Sequence, residues 1–290
     1  MPLTFTRSFR VRHYECDPYG HVNNATYLRY MQEAAFDASA AAGYDFEKYR
    51  DLGTLWLIRE TGIEYLRPAA YDQTLAVRTW VADFRRIRSR REYEMSVNGD
   101  IVARAFTDWV YLDAATQQPA RIPDELIAGF FPEGAPPTAP RREPFPEPPP
   151  IPPGAFTAQR RVQWHELDGA GHVNNAMYVS YLEDTAIQAA ESVNWGLGRV
   201  AERNIAILAR EHRLEYLRPA VLGDELAITT WLSNFRRTNV VRHYAVKRAA
   251  DGELLLRART LWVWVDLKTG RPTPIPVEML ADFEGQTAEG

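Results

Sequence analysis

The chain has 290 residues, 46% hydrophobic and 25% charged, with 34 basic against 38 acidic side chains and a net charge of −4. That length suits two domains of ordinary size, and the balance excludes a disordered or fibrous chain. The slight acidity, with both signs interspersed, gives no reason to expect nucleic acid as a partner.

The first fifteen residues, MPLTFTRSFRVRHYE, alternate polar and apolar types and lack the apolar segment of a secretory signal. No stretch approaches the ~18 apolar residues of a membrane span, so a cytoplasmic protein with no membrane partner is expected. The single cysteine, Cys16, allows neither an internal disulfide nor a cysteine-based metal cluster.

Phe9, Val11 and His13 alternate with arginines as in a half-buried strand, and Asp17-Pro18-Tyr19-Gly20 has turn chemistry. Asn23 can cap a helix from Asn24 to Ala42, in which Tyr27, Met31, Ala34, Ala35 and Ala38 recur at the helical period and Gly43 supplies the stop. Strands are predicted over Leu55 to Leu66, Thr74 to Phe84, Ser89 to Val97 and Ile101 to Leu112, with a tight hairpin at Asn98-Gly99. A short helix near Asp124 to Phe131 follows. One helix packed on a meander of antiparallel strands is an α+β arrangement.

The chain then repeats itself. EYLRPA occurs at Glu64–Ala69 and again at Glu215–Ala220, 151 residues on. The same offset carries Asp17, His21-Val-Asn-Asn and Tyr27 onto Asp168, His172-Val-Asn-Asn and Tyr178, and Phe84-Arg85-Arg86 onto Phe235-Arg236-Arg237. Beyond residue 100 the offset is 153, since Trp109 matches Trp262; a two-residue insertion in a hairpin accounts for the change. The chain therefore reads as domain 1 over 1–131, a proline-rich linker over 132–156, domain 2 over 157–284 and a tail over 285–290. Proline stiffens such a spacer into extended segments of ~3.1 Å per residue, long enough to leave the halves side by side as an intrachain pseudo-dimer.

The repeated D-x-x-G-H-V-N-N-x-x-Y segment puts an acid in a turn just before a helix start. Helix starts carry N–H groups without intrahelical partners and partial positive charge. A carbonyl oxygen on the N–H of Asn24 or Ala25, or of Asn175 in the second copy, would be stabilised as it becomes tetrahedral, and one such donor can be worth ~3–4 kcal/mol. Asp17 and Asp168 would then serve as nucleophile or as base for water.

This segment resembles the signature of the 4-hydroxybenzoyl-CoA thioesterase family, whose hotdog domains wrap an antiparallel sheet around a helix. Position by position, the resemblance implies Asp17 and Asp168 as catalytic aspartates and Asn24 and Asn175 as the helix-start amides. It implies acyl-CoA thioester hydrolysis with no metal or redox cofactor, CoA being part of the substrate. The tandem arrangement also resembles acyl-ACP thioesterases, but Tyr19 and Ala170 stand where those carry a catalytic asparagine. Pro68-Ala69 and Pro219-Ala220 stand where they carry an acid or thiol, so acyl-CoA is preferred over acyl-ACP as substrate. A 2-enoyl-thioester hydratase and a non-catalytic acyl-CoA-binding module remain alternatives, and a homodimer of the tandem chain is open.

Plainer readings compete at each position. A turn aspartate most often closes an Asx-turn, and His21 and His172 could orient the aspartate, bind substrate or only help cap the helix. Asn23 and Asn174 are expected as caps. Arg85, Arg86, Arg236 and Arg237 suit the phosphates of CoA, or equally a charged sheet edge that resists aggregation. Tyr27 and Tyr178 are expected as core or as acyl-pocket wall.

Overall fold

The computed structural model describes residues 1–134 and 142–288, so the middle of the proline-rich segment, 135–141, lies outside the described residues. The chain divides into two compact units, Met1–Pro144 and Phe145–Gly290. In the first, β1 (Thr4–Arg10) leads through a 3-10 turn (His13–Glu15) into α1 (Asn24–Ala41) and a short α2 (Phe46–Asp51). There follow β2 (Thr54–Tyr65), β3 (Thr74–Phe84), β4 (Arg88–Val97), β5 (Asp100–Asp113) and α3 (Asp124–Phe130). The second unit repeats the order. It has β6 (Phe156–Arg161), a 3-10 turn (Trp164–Glu166), α4 (Asn175–Glu191), α5 (Leu197–Glu202), β7 (Ile205–Tyr216), β8 (Glu225–Ser233), β9 (Asn239–Arg248), β10 (Leu254–Asp266) and α6 (Val277–Asp282).

Strand order is β1-β3-β4-β5-β2 in the first unit and β6-β8-β9-β10-β7 in the second, and the pairings are antiparallel. The long helix of each unit lies across the edge pair, α1 on β1 and β3, α4 on β6 and β8. Tyr27, Met31, Ala34, Ala35 and Ala38 are all buried on the face that α1 turns to the sheet, and the small Ala34, Ala35 and Ala38 let it approach closely. The helix ends at Gly43, whose positive φ of 85° only glycine adopts without strain. Asn98 and Gly99, both at positive φ, form the predicted tight hairpin. The short α2 and α5 carried no clear sequence signal; each is only six residues long.

The sheet face away from the helix is built differently in the two units. In the first, Arg90 grips Asp108 with two 2.8 Å hydrogen bonds, and Arg142 bridges Asp83 and Asp108. Arg142 belongs to the segment read as linker, and its side chain is largely buried. In the second, Trp231 stacks on His243, and Trp231 and Ala245 are covered by Ala155 and Ala288. Residues 285–288, read as a tail, thus form part of the packing: Ala288 N–H donates to Leu232 O at 2.9 Å. Phe145, at the end of the proline-rich stretch, lies between the guanidinium groups of Arg213 and Arg257.

Candidate active site

The two repeated motifs, far apart in sequence, meet in each unit. Val22 N–H donates to Ala69 O at 2.8 Å and His21 pairs with Ala70; Val173 and Ala220, and His172 and Val221, do the same. Tyr65 Oη donates to the carbonyl of Asn24 at 3.3 Å, and Tyr216 Oη to that of Asn175 at 3.2 Å. EYLRPA is therefore the clamp on the helix start, which explains why it recurs with the turn.

Asp17 closes an Asx-turn. Its Oδ1 accepts from the N–H groups of Tyr19 (2.9 Å) and His21 (3.1 Å), while its own N–H donates to His21 O and Gly20 N–H donates to its carbonyl. Gly20 has φ 79° and Gly171 φ 77°, a left-handed turn that calls for glycine. Asp168 holds the same turn less tightly: Oδ1 accepts from Ala170 N–H at 2.9 Å. Asp17 is half-buried and Asp168 exposed. The Asx-turn reading is thus correct for both, and it engages one carboxylate oxygen only; Oδ2 has no hydrogen-bond partner among the described residues.

Asn23 and Asn174 are the helix caps, their side chains accepting from Ala25 and Ala176 N–H at 2.9 Å each. That bond engages Ala25 N–H, one of the two amides considered for the first copy. His21 and His172 are held by their backbones, and neither imidazole hydrogen-bonds the aspartate of its own turn.

Sequence reasoning overlooked Glu15 and Glu166, although they obey the 151-residue offset. Glu15 accepts from Arg12 N–H (2.7 Å) and Tyr30 Oη (2.6 Å), and its carbonyl receives Asn23 N–H. Glu166 is buried; it accepts from Gln163 N–H at 2.7 Å and pairs with Arg160. Backbone and side-chain bonds hold the Glu166 carboxyl below its ordinary range despite burial. Each glutamate ties the end of the first strand to the helix cap, so the aspartate turn stands on a fixed base.

Tyr27 and Tyr178 are core residues. Tyr27 Oη accepts from Ala69 N–H at 3.3 Å, its ring packs edge-on to Tyr65, and burial pushes its phenol up to about 12. Tyr178 packs in the same way on Tyr216. Arg85, Arg86, Arg236 and Arg237 are exposed at the β3–β4 and β8–β9 hairpins. At ~3.3 Å per residue they stand roughly 30 Å of strand from the motif turn of their own unit, so within a unit the structure does not bring them to the aspartate.

The profile described as the Thioesterase-like superfamily matches residues 11–130 and 162–283, once per unit. The chain belongs to this superfamily. It is built as two hotdog domains in tandem. An acyl-[acyl-carrier-protein] hydrolase of Cuphea viscosissima is 26% identical over 90% of this chain and 63% of its own length. The chain thus spans a little under two thirds of the plant relatives it matches. A long-chain acyl-CoA thioesterase of Escherichia coli is 29% identical over 43% of this chain and 95% of its own. The fold matches a putative oleoyl thioesterase from Lactobacillus plantarum with a TM-score of 0.78 at 19% identity, over 90% of this chain and 96% of that one.

Among the described residues of this superfamily member, no group of three or more His, Cys, Asp or Glu side chains is placed to hold a metal ion, and no helix is long and apolar enough to cross a membrane.

Proposed function

We propose that the chain hydrolyses acyl thioesters to the free acid and thiol, with Asp17 and Asp168 as the reacting carboxylates. The observation that carries this reading is the repeated Asx-turn whose aspartate uses Oδ1 for the turn and leaves Oδ2 unengaged, fixed just ahead of a capped helix. The thioester carbonyl oxygen is received at the helix start, at the amide of Asn24 or Asn175. The carboxylate takes a proton from water as the water oxygen adds to the carbonyl carbon. Collapse of the tetrahedral intermediate breaks the C–S bond, and the thiol leaves with a proton. His21 and His172, beside each aspartate, contact the substrate.

CoA is proposed as the thiol carrier, because the positions of the acyl-ACP enzymes' catalytic asparagine and acid or thiol hold Tyr19, Ala170 and proline-alanine. A second reading, acyl-ACP as substrate, is favoured by the tandem plant relatives, which align over 90% of this chain and are named for acyl-carrier-protein substrates. Thiol release from a panel of acyl-CoA and acyl-ACP substrates tests both. Hydrolysis by the wild type and its loss in the Asp17→Asn/Asp168→Asn double variant is expected. Consumption of enoyl absorbance without thiol release would replace the reading by a hydratase, and binding without either reaction would leave a binding module.

A further inference from the structure

The helix-bearing face of the sheet holds a polar cluster that the proposed reaction does not use. In the first unit Thr107 Oγ1, on β5, is 3.0 Å from Tyr93 Oη and accepts from Trp109 Nε1 at 2.7 Å, so all three groups are partnered. The second unit keeps the same three residue types, as Thr260, Tyr244 and Trp262. It changes the residue opposite the threonine from Thr61 to His212. His212 Nδ1 is 2.8 Å from Thr260 Oγ1. The hydroxyl that serves two neighbours in the first unit is drawn to the imidazole in the second. Tyr244 Oη and Trp262 Nε1 are consequently enclosed without a hydrogen-bond partner among the described residues; Thr260 and Trp262 approach Tyr244 but miss hydrogen-bond geometry.

A third donor stands with them. Arg242 pairs across the ladder with Thr260 and points to the same face, under the ring of Phe283 at 5.6 Å. It is 5% exposed; among the described residues it has a 3.3 Å contact from Nη1 to Thr230 Oγ1 and no paired carboxylate, and Arg91 in the first unit likewise has none. The field of Glu183 that reaches Tyr244 is the weakest of the influences on that hydroxyl. A guanidinium buried without a counter-charge is strongly unfavourable, and unpartnered buried donors add to the cost. A guanidinium without a paired carboxylate, beside the enclosed Tyr244 hydroxyl and Trp262 N–H, is complementary to one class of group, a carboxylate.

We propose that Arg242, Tyr244 and Trp262 form a carboxylate-binding site inside the second unit, taking the acid end of an apolar chain. The apolar part is directed toward the buried cluster that holds Leu232, Val240 and Phe283. The site rests on the hydrolase reading for its ligand, and two sources supply the same chemistry. One is the fatty acid released by hydrolysis; the other is the distal carboxylate of a dicarboxylic acyl group.

Calorimetric titration of the full chain with decanoate and with decanol tests the site without turnover. Decanoate is expected to bind better than decanol, and Arg242→Met to weaken decanoate by about tenfold or more. Tyr244→Phe and His212→Thr, the latter restoring the first unit's arrangement, are expected to weaken it by a few fold. Arg91→Met, at the matching position of the first unit, is expected to change it little. Equal binding of decanol, or decanoate affinity unchanged in both folded Arg242→Met and folded Tyr244→Phe, overturns the proposal. KM separates the sources: a rise in Arg242→Met for a decanedioyl thioester but not for a decanoyl thioester identifies the distal carboxylate. Loss of decanoate inhibition with both KM values unchanged identifies the product. A wild type that binds decanoate through Arg242 yet releases thiol from no thioester would refute the hydrolase reading and leave this site standing.

Discussion

The two units share strand order, helix cap and aspartate turn, yet they differ in the polar groups they bury and in how those groups are satisfied. Both bury an arginine on the helix side, Arg91 in the first and Arg242 in the second, but the first unit also carries Asp83, Arg142, Asp108 and Arg90, which neutralise one another on the face away from the helix, and satisfies the threonine cluster on the helix side. The second fills its outer face with Trp231, His243, Ala155 and Ala288 and leaves donors unpartnered on the helix side. Duplication preserves what fixes the backbone. Side chains inside the sheet are free to diverge where each unit can still satisfy or tolerate them.

The largest expected effect breaks that contrast on the outer face. Asp83 is almost fully buried, and Arg142 is the cation that bridges it to Asp108. Removing one partner of a buried pair leaves an uncompensated charge and typically costs about 3–5 kcal/mol. Arg142→Met should therefore destabilise the first unit by that order, measured by denaturant unfolding and assigned to the unit by hydrogen exchange. A change below about 0.5 kcal/mol, usual for surface substitutions, would mean that the segment after residue 141 is only a tether.

The aspartate turns supply the next test. Asp17 accepts two N–H bonds and is half-buried, whereas Asp168 accepts one and is exposed. A better-fixed carboxylate loses less to misalignment, so the first site should be the more active. Asp17→Asn should lower kcat by on the order of 10², equivalent to ~2.7 kcal/mol of barrier, with KM less affected. Asp168→Asn should lower it less. A silent Asp17→Asn beside an inactive Asp168→Asn would reverse the assignment.

Titration separates the units by pH. His212 is fully buried, and burial alone lowers its imidazole from the ordinary 6.5 to about 3. Between those values the unfolded chain takes up a proton that the folded chain refuses, so stability is full above pH 6.5 and falls as pH drops toward 3. At pH 5 the loss from this one group is about 2 kcal/mol. His243, lowered to about 4 by burial and by Arg259, acts in the same direction. Unfolding followed by unit-resolved exchange should show the second unit weakening first on acidification. His212→Thr should remove much of the difference; if the two units lose protection together in both proteins, the buried neutral imidazole is not the cause.

Local signals in the sequence were enough for the elements and the turn. Alternation at Phe9 and Val11 marked the first strand, the helical period marked α1, and Asn98-Gly99 marked its hairpin, because each depends on neighbours within a few residues. The duplication pointed to the aspartates. What the sequence did not disclose depends on contacts between distant residues: Arg142 reaching Asp83 and Asp108, Ala288 reaching Leu232, and Glu15 holding Tyr30. Thr61 and His212 differ by one substitution whose effect exists only once β10 brings Thr260 beside it. Arg85 and Arg86 show the converse limit: their charge was legible, but their distance from the turn followed only from the length of β3.

The smallest effect tests what the units hold in common. Gly20 and Gly171 turn the chain at φ 79° and 77°, and nothing lies within 4 Å of where a Cβ would project from either. The cost of alanine at either position is therefore backbone conformation alone, about 1–2 kcal/mol. Gly20→Ala and Gly171→Ala should lower the stability of their respective units equally, as read by denaturant midpoints. Their kinetic effects should not be equal. Strain that loosens the turn disturbs the two N–H bonds on Asp17 in one unit and the single bond on Asp168 in the other, so kcat should fall further for Gly20→Ala. Equal kinetic losses at equal stability would show that the two carboxylates contribute alike, and that the tighter turn of the first unit gives it no advantage.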